Sequence, residues 1–498
     1  MPPISFNTIP ADIRVPLFYA EVDASLAGGF SHVKPSLLIG QKLAGGIGAL
    51  DTPYLISTVD RAKQLFGVGS MLARMAEAYR ANDASTELWA IAIDNGAGSV
   101  AATGTVTITG TATGSGTLSL YIAGQRVRSA VTATDTPTVA ALALKNAINL
   151  VTTLPVTATV NAGVITLTAR HPGAAGNFID VRMNYRGALG GETTPAGQTV
   201  AVVAMASGAT NPDVADAVAA MGDTEFDHIC MPYTDSGALD DIGTELNDTT
   251  GRWSPLRMIY GHAYSAIVDT HADVQTFGAS RNDQHVSVLG YYDSPTPPWE
   301  VAAMFTAVAA SHLNIDPARP VQALPLIGML TPAVENAWTI AERDTLLHSG
   351  VSTAHAAGGY MWVDRVVTTY QLNQWDEPDI GLLDVETVAT LTYVLRFLRD
   401  RVQQKFPRSK LANDGTRFGA GQAIVTPGII RAEIIAAYSE MEAQGLVENI
   451  KAFKSALIVE RDANDPNRVN VLYPPDLVNQ LRIFAVLAQF RLQYLVNV

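Results

Sequence analysis

On either side of residues 96–205, apolar runs of strand length alternate with segments of helical period, and this alternation restricts the chain to an α/β architecture. Before the interruption the text reads "SLLIG", "STVDRAKQLFG", "GSMLARMAEAYRAN" and "TELWAIAID", which is strand and helix in turn. After about residue 205 it resumes with strands expected at "DHICMPY", "LRMIYG" and "HVSVLGYY", the last leading into the helix-length "PWEVAAMFTAVAASHL". Such βαβ units imply a mainly parallel sheet flanked by helices. Between the halves, "GTVTITGTATGSGTLSLYIAGQRVRSAVTA" and "VTATVNAGVITLTARH" alternate β-branched with small polar residues, with one helical segment, "TPTVAALALKNAINLV", between them. The expectation is an inserted β-rich outer domain over 96–205, within a core made of 26–95 and 206–474.

Helix boundaries in the second half carry their own chemistry. "TPAVENAWTIAERDTLLHSG" places Thr331 as N-cap, Pro332 at the first helical position and Gly350 at the exit. "TPGIIRAEIIAAYSEMEAQG" repeats the device with Thr426, Pro427 and Gly445, and "LDVETVATLTYVLRFLRDRVQQKF" runs until Pro407. The basic stretch "LRFLRDRVQQKFPRSK" reads as the solvated side of that helix. The acidic "NQWDEPDIGLLDVE" is expected to cap it and to meet solvent or a basic patch on a neighbour.

Both ends read as strands without a partner of their own. Residues 475–498 open on a helix-prone segment and close on "FAVLAQFRLQYLVNV", where Phe484, Val486, Ala488, Phe490, Leu492, Tyr494, Val496 and Val498 are apolar while Gln489, Arg491, Gln493 and Asn497 fall between them. Near the other end, over 1–25, Ile13, Val15, Leu17 and Tyr19 share one face, and Pro16 suits an edge or an arm. Open edges template pairing with other molecules, so extended terminal strand arms directed at another sheet are expected.

Composition narrows the function. With 498 residues, 48% hydrophobic and 16% charged, the chain is an ordinary folded protein, and a net charge of −14 argues against nucleic-acid or anionic-membrane partners. The single cysteine, Cys230, sits in the apolar "HICMPY" and is expected to be buried in a strand. The start lacks a secretory pattern and no long apolar run could span a membrane, which predicts a cytoplasmic protein without membrane insertion.

Fragments that resemble active sites lack their context. "HPGAAGN" lacks the third glycine of a dinucleotide loop and reads as a tight connection between strands. "GVSTA", with Ser352, has a helix before it and a loop or strand after it, the reverse of a nucleophile elbow. "TDSG", with Asp235, has no base or nucleophile segment to accompany it, and "DANDPN" fits an Asx-type turn better than a calcium loop. The histidines show no paired ligand spacing. No catalytic, cofactor-binding or metal-binding residue is therefore expected. An α/β hydrolase using Ser352 and Asp235, or a Thr-rich surface-layer or adhesin module, are the competing classes.

Several segments together, "FGVGSMLARMAEAYRANDASTELWAIAID", "TLTARHPGAAGNFIDVRMNY", "LLHSGVSTAHAAGGYMWVDRVVTTYQ" and "VERDANDPNRVNVLYPPDLVNQLRIFAVLAQFRLQY", resemble contractile phage tail sheath proteins of the Mu type, in the same order along most of the chain. The resemblance implies a structural subunit, not an enzyme, with no cofactor. It implies hexameric rings stacked helically around an inner tail tube, with copies of the chain, the tube protein, baseplate and tail terminator proteins as partners. It also implies assembly in the host cytoplasm and residence in the virion tail. Ile13, Val15, Leu17 and Tyr19 would lie on the amino-terminal arm, and Phe484, Val486, Phe490, Leu492, Tyr494 and Val496 on the carboxy-terminal one, each pairing with the core sheet of a neighbour.

Overall fold

The structure, a computed structural model, describes residues 34–419 and 421–492. Strand β1 (Ser36–Gln41) is buried along its whole length, as a strand covered on both faces must be. It leads to β2 (Pro53–Leu55), α1 (Val59–Phe66), α2 (Met71–Asn82) and β3 (Leu88–Ile93). Thr58 and Ser70 cap the two helices, their hydroxyl oxygens accepting from the Arg61 and Ala73 amides.

The Thr-rich stretch folds into β4 (Ala101–Thr109), β5 (Gly116–Ile122), β6 (Gln125–Val131), α3 (Pro137–Leu150), β7 (Val156–Asn161), β8 (Val164–Pro172), β9 (Val181–Met183) and β10 (Thr199–Ala206). They form two antiparallel sheets, ordered β10-β4-β8-β7 and β6-β5-β9, and α3 touches strands of both. Alternate residues such as Val106, Ile108, Ile165 and Leu167 point inward. Their neighbours pair across the ladder, Thr103 with Thr168 and Thr105 with Thr166.

The chain then returns through α4 (Ala215–Ala220), β11 (His228–Cys230), α5 (Ser236–Leu246), β12 (His262–Val268), α6 (His271–Ala279), β13 (Val286–Tyr291) and α7 (Pro298–Leu313). The central sheet has the order β13-β12-β11-β1-β3-β2, parallel from β13 to β3, with β2 antiparallel at the edge. Helix α7 is buried on nearly every side and packs on both α2 and the sheet, as its apolar circumference requires.

The Thr-rich unit is joined to helix α2 through polar contacts. The Arg74 guanidinium on α2 pairs with the buried Glu300 carboxylate on α7 at 2.5 Å and donates to the Thr153 carbonyl at 2.8 Å. His171 Nε2, at the end of β8, accepts from the Met71 amide at 3.0 Å.

"LRMIYG" does not form the expected strand. Within it Met258 and Tyr260 take positive φ values of 48° and 55°, and the Tyr260 carbonyl is claimed by Arg252 Nε at 2.9 Å. The ladder therefore starts at His262.

Next come β14 (Leu324–Leu326), α8 (Ile340–His348), β15 (Thr353–Ala357) and β16 (Tyr360–Arg365), with a small antiparallel sheet ordered β14-β16-β15. The helix expected from Thr331 begins instead after Thr339. Thr339 and Glu342 make a complete capping box, whereas the Thr331 carbonyl accepts from the Tyr185 hydroxyl at 2.7 Å. A reciprocal cap satisfies two amides, so it outcompetes a Thr-Pro start.

The last part contains α9 (Val385–Lys405), β17 (Lys410–Leu411), β18 (Ile424–Val425), α10 (Pro427–Ala443), α11 (Ile450–Ala456), β19 (Ile458–Arg461) and β20 (Val469–Leu472). Thr426 caps α10 and Gly445 leaves it with φ 75°; α9 ends just before Phe406 and Pro407. A separate apolar cluster forms here, with Val394, Ile434, Met441 and Leu457 around the stacked Tyr438 and Phe453 rings.

Two expectations about α9 are corrected. Its basic residues are not simply solvated: Arg396 is buried, bound to Asp227 and, at 3.0 Å, to Glu225, while Arg401 bridges Glu433 and Glu440 of α10. The cations of α9 therefore meet carboxylates on two sides, just before β11 and on α10. Asp384 precedes α9 but its side chain caps none of its amides; its carboxylate is held by Arg365 and Arg482.

Candidate functional site

The carboxy-terminal segment is tied down step by step and then released. Leu477 bridges Val447, the Val478 amide donates to the Leu446 carbonyl, and the Asp476 carbonyl accepts from the Glu448 amide at 2.9 Å. Next, Gln480 Nε2 donates to the Ala318 carbonyl, Gln322 Nε2 donates to the Leu481 carbonyl, and Arg482 enters a cluster of acids at the start of α9. From residue 483 to 492 no helix or ladder forms. The helix-prone reading of 475–483 is thus overturned: these residues spend their hydrogen bonds on the α10–α11 turn and the 318–322 loop.

From Ile483 to Leu492 the side chains face solvent. Phe484, Val486, Phe490 and Leu492 are exposed, from 71% for Val486 to 96% for Leu492. The intervening set contains Ile483 and Leu487, equally exposed, before it turns polar at Gln489 and Arg491. The segment is therefore apolar on both alternating faces near its root and on one face farther out, which a reading of every second residue missed. Exposed apolar side chains in such a row mark an interaction surface. Tyr494 and Val496, and Ile13, Val15, Leu17 and Tyr19, lie outside the described residues.

Earlier in the same part of the chain stands a two-stranded hairpin. β19 and β20 pair antiparallel from Ile458↔Leu472 to Arg461↔Val469 and form a sheet of two strands. Among the described residues neither outer edge has a strand partner. Ile458, Val471 and Leu472 are exposed on it, while Val459 and the following Tyr473 pack on the second apolar cluster. Its tip is the "DANDPN" turn, where Asp462 Oδ1 accepts from the Asn464 and Asp465 amides at 2.8 and 2.9 Å. The Asp465 amide first, then the Asn470 side chain donating to Oδ2 at 2.8 Å and the Asn464 amide, hold the carboxyl at a pKa of about 2. The turn was legible; the pairing of its flanks was not, although "ALIVERDANDPNRVNVLY" has the strand–turn–strand pattern.

The fragments that resemble active sites are structural here. Ser352 is buried and exchanges hydrogen bonds with Val367, its Oγ donating to the carbonyl at 3.0 Å and accepting from the amide at 2.9 Å. Asp235 caps α5. Cys230 lies in the central sheet, and burial pushes its thiol up to about 12. The charged groups around the cavity between α9 and the starts of β11 and β12 are engaged: Lys34 Nζ donates to the Leu313 carbonyl at 3.2 Å, and His228 Nε2 and His262 Nε2 bond Asn314 and Ser287 at 2.9 Å. Among the described residues no group of three acidic, histidine or cysteine side chains has metal-binding geometry, and no helix is long and apolar enough to cross a membrane.

Comparison with known proteins gives concordant results. Residues 207–369 match the phage tail sheath protein central domain, and residues 377–491 match the phage tail sheath C-terminal domain. The chain is 44% identical over 490 residues, 98% of its length and 99% of the relative's, to the Mu-like prophage FluMu tail sheath protein of Haemophilus influenzae. In fold it is similar to the sheath tail protein of Desulfitobacterium hafniense, with a TM-score of 0.51 at 13% identity, covering 94% of this chain and 97% of that one. A sheath tail protein of Listeria innocua aligns with a TM-score of 0.48 at 10% identity, covering 91% and 94%.

Proposed function

The chain belongs to the phage tail sheath protein family, and from that premise we propose that its copies assemble into a helical tube of stacked hexameric rings around an inner tail tube. On a signal from the baseplate the tube shortens and drives the inner tube through the host envelope. The tail terminator protein closes the far end, and assembly takes place in the host cytoplasm. The central α/β unit and the helical unit after it form the inner core, and 96–205 forms the outer domain. The arms, 1–25 and 475–498, join one copy to the next.

The observation that carries this reading is the pairing of needs on one chain: a row of exposed apolar residues from Ile483 to Leu492 and a two-stranded hairpin whose outer edges have no strand partner among the described residues. A two-stranded sheet is marginal alone and gains from a third strand. Strand addition supplies backbone hydrogen bonds for affinity and alternate side chains for register. About five such bonds at roughly 1 kcal/mol each, with the apolar face buried as well, hold a neighbour by several kcal/mol. Because donor segment and acceptor hairpin are different surfaces, the contact is heterologous and propagates into an open helix. The arms remain attached as tethers while compact cores exchange one packing for another of lower free energy.

The test is deletion of residues 483–498. The expected product is a folded, soluble monomer or small oligomer by sedimentation under conditions where the full chain forms rods. Rods from the deleted chain would refute the role of the arm.

A further inference from the structure

The root of the arm is held by more than a loose tether needs. Arg482 is nearly buried, and its guanidinium donates to Gln322 Oε1 at 2.9 Å, to Asp384 Oδ1 at 2.9 Å and to Glu386 Oε2 at 2.7 Å. Each carboxylate is fixed in turn. Asp384 takes a bidentate pair from Arg365, both bonds at 2.8 Å. Glu386, fully buried, uses its other oxygen to accept from the Val321 amide at 2.5 Å. The neighbouring backbone is pinned by the Gln322–Leu481 and Gln480–Ala318 bonds. Immediately after this cluster the exposed apolar row begins.

We propose that Arg482, with Gln322, Asp384 and Glu386, is a positioning clamp that sets where and in which direction the arm leaves the subunit, so that a second copy of this chain meets an oriented strand. This inference rests on the arm reading above and adds a separate requirement to it. A planar guanidinium reaching three acceptors fixes orientation as well as position, which a point-charge ammonium does not. Burying such a cluster contributes little net stability compared with an apolar replacement. Its gain is preorganisation: a segment already oriented loses less freedom on binding and presents a higher effective concentration to its acceptor. The clamp sits at the first turn of α9, whose Arg396 is itself bound to Asp227 before β11. The exit direction is therefore referred to the central sheet, and rotation of the core is transmitted to the arm.

The decisive variant inserts Gly-Gly-Ser after Arg482, which leaves every clamp contact and every arm residue in place but disconnects their directions. Thermal unfolding is expected to be unchanged, and the critical concentration for rod formation, measured by pelleting, to rise about tenfold or more. Arg482→Lys, which keeps the charge and loses the fork, is expected to raise it in the same direction. If the insertion variant assembles at the natural concentration while deletion of 483–498 abolishes assembly, the clamp is refuted and the arm stands. If the deletion also assembles normally, both fall.

Discussion

Replacing Phe484 and Phe490 together by alanine separates the two states in which those rings are placed. In the isolated chain both are 83% exposed, so their removal takes almost nothing from the fold. In the proposed sheath each ring is covered by the neighbour's hairpin. Fully burying one such side chain is worth about 1.5–3 kcal/mol, so the pair contributes roughly 3–6 kcal/mol per contact. At about 1.4 kcal/mol per factor of ten, the critical concentration should rise roughly a hundredfold to ten-thousandfold. Pelleting across a dilution series measures that quantity, and a thermal melt of the dilute, unassembled protein reports the fold. The expectation is a large shift in the first and none in the second. Unchanged assembly would show that these rings stay in solvent, and a large fall in melting temperature would show that they belong to the subunit's own core.

Other consequences are local. Arg396→Ala removes the guanidinium that pairs with the largely buried Asp227 carboxylate and with Glu225 and is expected to destabilise the subunit by about 1–3 kcal/mol in urea unfolding. His171 is buried as a neutral acceptor for the Met71 amide, and burial pulls its pKa down to about 4. Its contribution is complete above the unfolded value of about 6.5 and is lost progressively as pH falls toward 4. Buried Glu300 and Glu386, whose pKa values burial raises, act with the opposite sign, and buried His228 and His262, whose pKa values burial lowers, act with the same sign, so the comparison must isolate the imidazole: relative to the natural chain, His171→Gln should subtract a rise of unfolding free energy with pH between about 4.5 and 6.5. A variant with the same pH slope as the natural chain would contradict the assignment. Cys230, with its thiol raised to about 12 inside the sheet, should react with a thiol reagent only after unfolding.

The parts of this molecule that were legible in its sequence are those whose period is set by burial. β1, β3 and β13 are apolar with little interruption because both faces are covered, and β4 and β8 alternate because one face is not. Caps that act within one turn, such as Thr426 with Pro427, were equally readable. The failures share a cause, a partner outside the expected element that outbids the local pattern. Arg252 takes the Tyr260 carbonyl and delays β12, the Thr339–Glu342 box displaces the Thr331 start, and Asp227 draws Arg396 into the interior of what reads as a solvated helix. Of the candidate site, the exposed row at Phe484, Val486, Phe490 and Leu492 was visible as an apolar alternation. Arg482 was not, since its three acceptors lie about 100 to 160 residues earlier in the chain. The hairpin at Ile458 and Leu472 was also missed, because an edge without a strand partner among the described residues is defined by the fold around it and not by a residue pattern.

The most direct test of the central claim is electron microscopy of the purified full chain beside the chain ending at Arg482, at equal concentration. Self-assembly through the arm predicts helical rods from the first and dispersed particles from the second, with matching circular dichroism. Rods of the same form from both, or no rods from the full chain at any concentration, would contradict it.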